Sequence, residues 1–453
     1  MGKRLRFLAK TAGVALIGFS LMGADAGTDR PAASSASQEE QTAEDGLVCP
    51  RETVKLPMNA KTSLDALFQY EPYLYYEFAN PKLARVTSQG IAIPLAKGTT
   101  QVEVTVSGYE REAASCSFRL QIVDPVKFKS ASAPKTESGQ TKLNGRKAYV
   151  NTIVLPQGMP AGLGLGKDAL GNAEAMKAIV TRRQASYAIN GTYFAAYNDE
   201  VPLPYGTLVK DGELLFNTGS VGTIVSFAAD GTARLDEASP SIVGGFDGLY
   251  DSQRRWSASY VNRRAGSGTT IYTPDYGARI GTDKGVMIVV SGSKVIRVAK
   301  GENAKIPRDG YVIVNQRESL AELKEMFKVG RKVHYRVTYS NAEGRLVRWN
   351  DVVTAVQAWP KLIEGGKVVE KDGADAKRAA RSGIGITKDG RVVMVTTGSA
   401  THGEVAELLR AKGAVDAMGL DGGASAGIYS QGVQLFTPGR NLSNVLLFGP
   451  DLR

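Results

Sequence analysis

From Leu47 to about Asp124, hydrophobic and polar positions alternate in short runs. They predict strands over Glu52–Leu56, Leu74–Phe78, Ala84–Thr87, Ile91–Pro94, Gln101–Val106 and Ser117–Val123. Turn formers such as Asn80-Pro81 and Ser88-Gln89-Gly90 separate the runs, and this spacing indicates a small all-β sandwich over 47–125. Beyond it, Val126–Lys147 is polar and reads as a linker into a strand at Ala148–Leu155. Gly162–Gly171 reads as a flexible surface loop; it lacks the Gly-Lys-Ser/Thr spacing of a phosphate-binding loop. A helix over Ala173–Gln184 and a strand over Ala185–Ile189 follow. Hairpins are expected in Pro204–Leu214 and Val221–Leu235, each with an Asp-Gly turn between apolar strands. Gly285–Tyr339 supplies further strands and one short helix near Glu318–Phe327, with His334 a structural residue of an alternating run.

Residues 376–427 carry the densest pattern. Two apolar runs, Ser382–Ile386 and Arg391–Val395, flank Lys388-Asp389-Gly390, a hairpin signal. Val405, Leu408 and Leu409 give Glu404–Lys412 the one-sided spacing of a helix, and Gly413 stops it. Ala414–Leu420 returns as a buried strand and opens at Asp421 into Gly422-Gly423-Ala424-Ser425. A carboxylate beside two glycines leaves backbone N–H groups open to a ligand, because no Cβ shields them. The expected fold class of 126–453 is α+β, mixed β-sheets with packed helices, after the all-β module.

The N-terminus changes the setting. Lys3, Arg4, Arg6 and Lys10, the apolar run Thr11–Gly23 and Ala24-Asp25-Ala26 read as a secretory signal over 1–26. That apolar run is short for a membrane span, so no stable span is expected after cleavage. Residues 27–46 contain almost no large apolar side chain and read as a disordered spacer. The expected location is periplasmic, cell-surface or extracellular.

Composition adds less. The 43% hydrophobic and 22% charged fractions are those of a globular chain, and 453 residues suffice for two or three domains. The net charge of +11 becomes +8 once four basic residues and one acidic residue leave with the signal. A basic exported protein suits an anionic envelope polymer as partner, although a merely soluble surface would look the same. Export, and the lack of a basic run interleaved with aromatics, disfavour nucleic acid. The two cysteines, Cys49 and Cys116, both fall in the first module, where an oxidising compartment would join them; two free thiols are the alternative. Two histidines 68 residues apart, His334 and His402, do not make a zinc site. Calcium held by backbone and carboxylate oxygens stays open.

The ordered set Arg381, Asp389-Gly390, the following helix and Leu420–Ser425 resembles the phosphodiester glycosidase family. Further likeness lies in Asn190-Gly191-Thr192-Tyr193-Phe194, in Asn262 before Ile271–Pro274, in Ala358–Ile363 before Gly365-Gly366, and in Gly439-Arg440 with Ser443. It runs over roughly Ala148–Phe448. Leu83–Val104 is similar to bacterial immunoglobulin-like modules, read as a spacer or carbohydrate-proximal adaptor without chemistry of its own.

The resemblance implies hydrolysis of a sugar-1-phosphodiester at the anomeric carbon, without a cofactor, on a phosphorylated glycan. Asp421 would then steady the oxocarbenium-like centre or activate water, and Asn190 would orient the sugar. Arg381 and Arg440 would stabilise the departing phosphate. Gly191, Tyr193, Asn262, Gly422, Gly423, Ser425 and Ser443 would contact substrate. Arg263 or Arg264 is a further phosphate clamp by chemistry, or a solvated turn. His402 reads equally as an acid–base group in the loop before the helix or as a solvent-facing helix entry. Glu404 would complement the helix dipole.

Three departures bear on the substrate. Thr397-Gly398 stands where the family has Asp-Gly, Ala424 replaces a third glycine, and Thr192-Tyr193 replaces Gly-Phe. A conventional glycoside hydrolase, which needs a second carboxylate, and a non-catalytic binder of phosphorylated glycans are the competing readings.

Overall fold

Arg146–Leu155 is the strand on which the site-bearing half is assembled. It pairs with Val392–Ala400 on one side and Lys135–Leu143 on the other. In the computed structural model the described residues are 47–68, 73–107, 113–129, 132–197, 201–251, 255–264, 266–370, 372 and 376–452. The predicted signal and spacer, residues 1–46, lie outside them.

Arg146–Leu155 belongs to a seven-stranded antiparallel sheet. Its order is Lys367–Val368, Lys361–Glu364, Ala414–Gly419, Ala379–Thr387, Val392–Ala400, Arg146–Leu155 and Lys135–Leu143. A second sheet runs Ala161–Leu165, Asn444–Phe448, Tyr187–Asn190, Ile428–Ser430 and Val433–Phe436. The two sheets and part of an eight-stranded sheet share one core, in which Ile153, Ile384, Met394 and Met418 meet Leu163, Ile189, Leu446 and Phe448, with Val225, Phe227 and Val356 closing the third side. The eight-stranded sheet packs its other residues against a further five-stranded sheet through Ile224, Ile242, Ile288 and Ile313.

This architecture corrects the expected fold class. The described residues hold thirty-two strands and three α-helices, Met176–Arg182, Leu320–Met326 and His402–Ala411, so the protein is mostly β and not α+β. Each helix is short. Two of them cover the outer face of one sheet apiece: His402–Ala411 lies over the seven-stranded sheet through Val405 and Leu409, and Met176–Arg182 over the five-stranded one through Ile179 and Val180.

Both helices sit on glycine-bearing strands. In Ala379–Thr387, Ile384 and Ile386 enter the core while Gly383 and Gly385 face the other way. A Cβ on Gly383 would stand 2.8 Å from Val405 and 3.0 Å from Leu409. Ala161–Leu165 repeats the device: Leu163 and Leu165 point to the core, and a Cβ on Gly164 would stand 2.5 Å from Ile179. Gly162–Gly171 is therefore not a surface loop. Its first part is a strand with buried leucines, and Gly164 is required because the Ile179 and Leu447 side chains approach its backbone closely.

The linker at Val126–Lys147 is also corrected. Lys135–Leu143 is a strand whose outward side chains are exposed, and it turns at Asn144-Gly145, both at positive φ, into Arg146–Leu155. Asn-Gly is the strongest short hairpin signal, yet eight exposed positions in succession, seven polar and one glycine, mask the strand. An edge strand can be polar because only its backbone need pair.

Residues 54–123 form a four-stranded sheet and a three-stranded sheet around a core of their own, including Leu56, Leu64, Leu74, Val102, Phe118 and Leu120. Cys49 and Cys116 are joined by a disulfide. This segment is fastened to the eight-stranded sheet. Ser88 donates from N and Oγ to Glu213, Gln89 donates to the Gly212 carbonyl at 2.7 Å, and Asp65 forms a buried pair with Arg336. His334 lies between Tyr75 and Tyr250, and burial drives its imidazole down to about 3, in keeping with a structural role. Among the described residues no helix is long and apolar enough to cross a membrane.

Candidate functional site

Asp421 stands where the chain leaves the seven-stranded sheet for the five-stranded one. Leu420 donates its N–H to the Ser382 carbonyl, and Asp421 donates its own to the Gly191 carbonyl at 3.1 Å. The end of one sheet is thus stitched to the end of the other.

Asn190, the last residue of Tyr187–Asn190, makes this junction. Its amide donates to the Asp421 carbonyl at 2.7 Å and accepts from the Gly427 N–H at 3.1 Å. The side chain is buried beneath Asp421 and committed to backbone, so it positions the acid. Asn444, which the sequence did not single out, is the matching clamp: its Oδ1 accepts from the Thr192 N–H at 2.8 Å and its amide donates to Ser443 Oγ. A Cβ on Gly191 would fall 1.9 Å from Asn444 Oδ1, which explains the glycine without a ligand. Ser443 is buried in the same scaffold.

Arg381 approaches from the neighbouring strand. A Cβ on Gly422 would stand 3.0 Å from the Ala380 carbonyl and 3.3 Å from an Arg381 terminal nitrogen, so glycine lets the guanidinium lie against the Asp421 turn. Arg381 donates to the Lys377 carbonyl at 3.0 Å, while its buried Nε has no partner among the described residues. Thr397 is its cross-strand partner. Gly423 takes a positive φ of 59° and is exposed, and Ser425 is buried below it. Arg440 acts on the acid through its charge and is held over the Tyr197 ring, donating to its hydroxyl at 2.8 Å.

Electrostatics follow from this enclosure. Burial lifts the Asp421 carboxyl to about 6, against the opposing pull of the Ser425 hydroxyl, Arg440 and the Gly422 N–H. Burial, then the Asp421 charge, push the Tyr193 phenol up to about 12, with Arg381 opposing. Burial and the Arg381 charge hold the His402 imidazole below the usual histidine range despite Asp372, so it is neutral at pH 7.

His402 is not a loop residue: it opens the helix His402–Ala411. Thr401 caps that helix, accepting from the Glu404 N–H while Glu404 accepts from the Thr401 N–H. Glu404 is buried and paired with Arg378, so its part is structural beyond the helix dipole. Asp372 adds a bond from the Gly403 N–H at 3.0 Å. The Thr-x-x-Glu spacing was a readable capping box; Arg378 and Asp372 carried no local signal.

Two expected contacts lie elsewhere. Asn262 is buried in the other half, donating to the Leu215 carbonyl and Thr273 Oγ1 and accepting from the Thr273 N–H. Arg263 lies over Tyr260 and donates to the Thr218 carbonyl. Their amide and guanidinium close a turn of the scaffold. Among the described residues no group of three or more His, Cys, Asp or Glu side chains could hold a metal ion.

An aromatic pair was visible only in three dimensions. Tyr193 stacks on Trp359 with ring centres 4.2 Å apart and donates its hydroxyl to the Trp359 carbonyl at 3.0 Å. Trp359 precedes Pro360 through a cis peptide bond, and the Gly419 N–H donates to the Pro360 carbonyl.

Residues 284–449 match the model of the phosphodiester glycosidase family. The matched span contains Arg381, His402, Asp421 and Arg440 but not Asn190 or Tyr193. No curated protein matches the chain in sequence. Among solved structures, a hypothetical protein from Synechocystis is similar, with 20% identity, TM-score 0.57, and coverage of 83% of this chain and 81% of that one. A protein from Burkholderia pseudomallei K96243 has 16% identity, TM-score 0.53, and coverage of 83% and 97%. These two likenesses bear on fold alone. A zebrafish N-acetylglucosamine-1-phosphodiester alpha-N-acetylglucosaminidase catalytic domain is more distant, at 12% identity, TM-score 0.39, and coverage of 78% and 89%. The 284–449 segment is thus similar in sequence to glycosidases that act on phosphodiesters, and it holds the acid and both arginines of the site.

Proposed function

We propose that this protein is an exported hydrolase cleaving the glycosidic bond of sugar-1-phosphodiesters in envelope or extracellular glycans. One observation carries the reading: a half-buried carboxyl raised to about 6 feels the charge of Arg440 and opens a turn against which the Arg381 guanidinium lies, and the buried Nε–H of Arg381 has no acceptor among the described residues. Above pH 6 Asp421 is a carboxylate. It meets the positive charge that grows at the anomeric carbon as the C1–O bond breaks, or takes a proton from the attacking water. The bond electrons leave on the phosphate oxygen, and Arg381 and Arg440 offset that charge. A phosphate is a good leaving group, so this substrate asks less of a general acid than an ordinary glycoside does. As proposed, the reaction needs no cofactor. The Cys49–Cys116 disulfide supports an oxidising compartment.

The test is incubation of the purified protein with UDP-N-acetylglucosamine and, separately, with aryl glycosides, assaying free reducing sugar. Release from the phosphodiester alone supports the reading. Release from aryl glycosides alone replaces it with a conventional glycosidase. Saturable binding without release, unchanged in Asp421→Asn, leaves a binding protein.

A further inference from the structure

Trp359 is half exposed, at 46%, whereas the other two tryptophans, Trp256 and Trp349, are buried at 8% and 3%. Exposing an indole forgoes one of the largest burial gains available to any side chain. Here it is also fixed. One ring face is covered by Tyr193, whose hydroxyl is tied to the Trp359 carbonyl, and that carbonyl would stand 3.2 Å from a Cβ on Gly419, two residues before Asp421. The same phenol lies within the fields of Asp421 and Arg381. Tyr197 is exposed too, stacked under Arg440, whose charge acts on Asp421.

We infer that Trp359, backed by Tyr193, is a stacking subsite for a pyranose ring of a longer glycan, adjacent to the bond proposed to be cut. This rests on the sugar-phosphodiester reading and names its substrate class: a polymer of glycosyl phosphates, not a nucleotide sugar. The reason is enclosure. A small ligand is held by burying most of its surface in a concave pocket, whereas an open indole face covers one side of one ring. Such a platform contributes usefully when a chain extends over the protein and makes the same contact at several units. The C–H face of a pyranose supplies the apolar surface, and its hydroxyls stay in water.

Because Trp359 is the exposed indole of the three, its fluorescence reports this surface directly. The probes are poly(N-acetylglucosamine 1-phosphate) and UDP-N-acetylglucosamine, titrated into the full-length Asp421→Asn protein so that no turnover intervenes. The polymer should quench indole emission saturably, with an affinity at least ten-fold above that of the nucleotide sugar. By calorimetry Trp359→Ala should bind the polymer about ten-fold more weakly, and Trp359→Phe should recover most of the loss. In the protein carrying Asp421, Trp359→Ala should raise KM for the polymer at least ten-fold more than for UDP-N-acetylglucosamine. Unchanged emission on polymer addition, equal affinity for the two probes, or undiminished polymer binding by Trp359→Ala would overturn the inference. Quenching without turnover of either probe leaves the subsite standing and removes the hydrolase reading; turnover of UDP-N-acetylglucosamine without quenching does the reverse.

Discussion

Replacing Asp421 by Asn should abolish hydrolysis and at the same time stabilise the protein, by an amount that depends on pH. The carboxyl titrates near 6 in the folded chain and near 3.8 in an unfolded one, chiefly because burial disfavours its charge. Between pH 4 and 6 the folded state therefore keeps a proton that the unfolded state has released, so stability falls as pH rises through this window. At about 1.36 kcal/mol per pH unit the penalty reaches about 3 kcal/mol above pH 7. Asn is of the same size and carries no charge, so the variant escapes the penalty. Urea unfolding of both proteins from pH 3.5 to 8 measures it: their stabilities should be close at the acid end, and the variant should lead by up to about 3 kcal/mol at the alkaline end. A pH-independent difference would refute the reasoning, and so would a wild type that gains on the variant as pH rises. The second outcome would mean that Arg440 and Ser425 outweigh burial. The catalytic counterpart is an acid limb in kcat/KM near pH 6, absent from any residual activity of the variant.

Other expectations follow from the same geometry. Arg381→Lys keeps a charge but loses the planar fork and the buried Nε–H, and should lower kcat on a sugar-1-phosphodiester about 100-fold in steady-state assays with little change in urea midpoint. Glu404→Ala removes one cap of the helix and leaves the half-buried Arg378 with only the Ser399 carbonyl; a loss of about 2 kcal/mol in urea unfolding is expected, and a smaller one in the double variant Glu404→Ala with Arg378→Met. Gly164→Ala sets a methyl 2.5 Å from Ile179 and 2.9 Å from Leu447, and should cost about 1–3 kcal/mol by the same measurement, whereas Gly139→Ala on the exposed edge meets no atom within 4 Å and should cost far less.

How much of this could be read along the chain varies by element. The 376–427 hairpin, helix and strand were legible because each signal is local: an Asp-Gly turn, a one-sided apolar stripe, a glycine stop. Their ends reach further than those signals. The strands extend to Ala379–Thr387 and Val392–Ala400, since pairing continues past the apolar residues. The helix begins at His402, two residues earlier than its apolar stripe suggests, because Thr401 caps it. Gly162–Gly171 reads as a loop because glycine signals freedom locally, whereas at Gly164 it answers the closeness of Ile179 and Leu447. The balance of strand and helix is hidden for a related reason: the three helices are short, and many of the strands carry weak individual patterns.

For the site, the residue types were readable and their assignments were not. Asp421, Arg381, Arg440 and Asn190 stand out in sequence as an acid, two cations and an amide at turns. That Asn190 and Asn444 fasten two sheets beneath the acid, and that Asn262 closes a turn in the other half, depends on contacts between residues separated by tens to hundreds of positions. The sequence by itself determined where the chain turns and which residues carry chemistry, because turn geometry and side-chain ionisation are properties of one or a few neighbouring residues. Only the tertiary structure decided how far Asp421 is withdrawn from water, that Arg381 keeps a buried donor without a partner among the described residues, and which tryptophan stays in solvent. Burial and pairing are set by what the rest of the fold brings alongside.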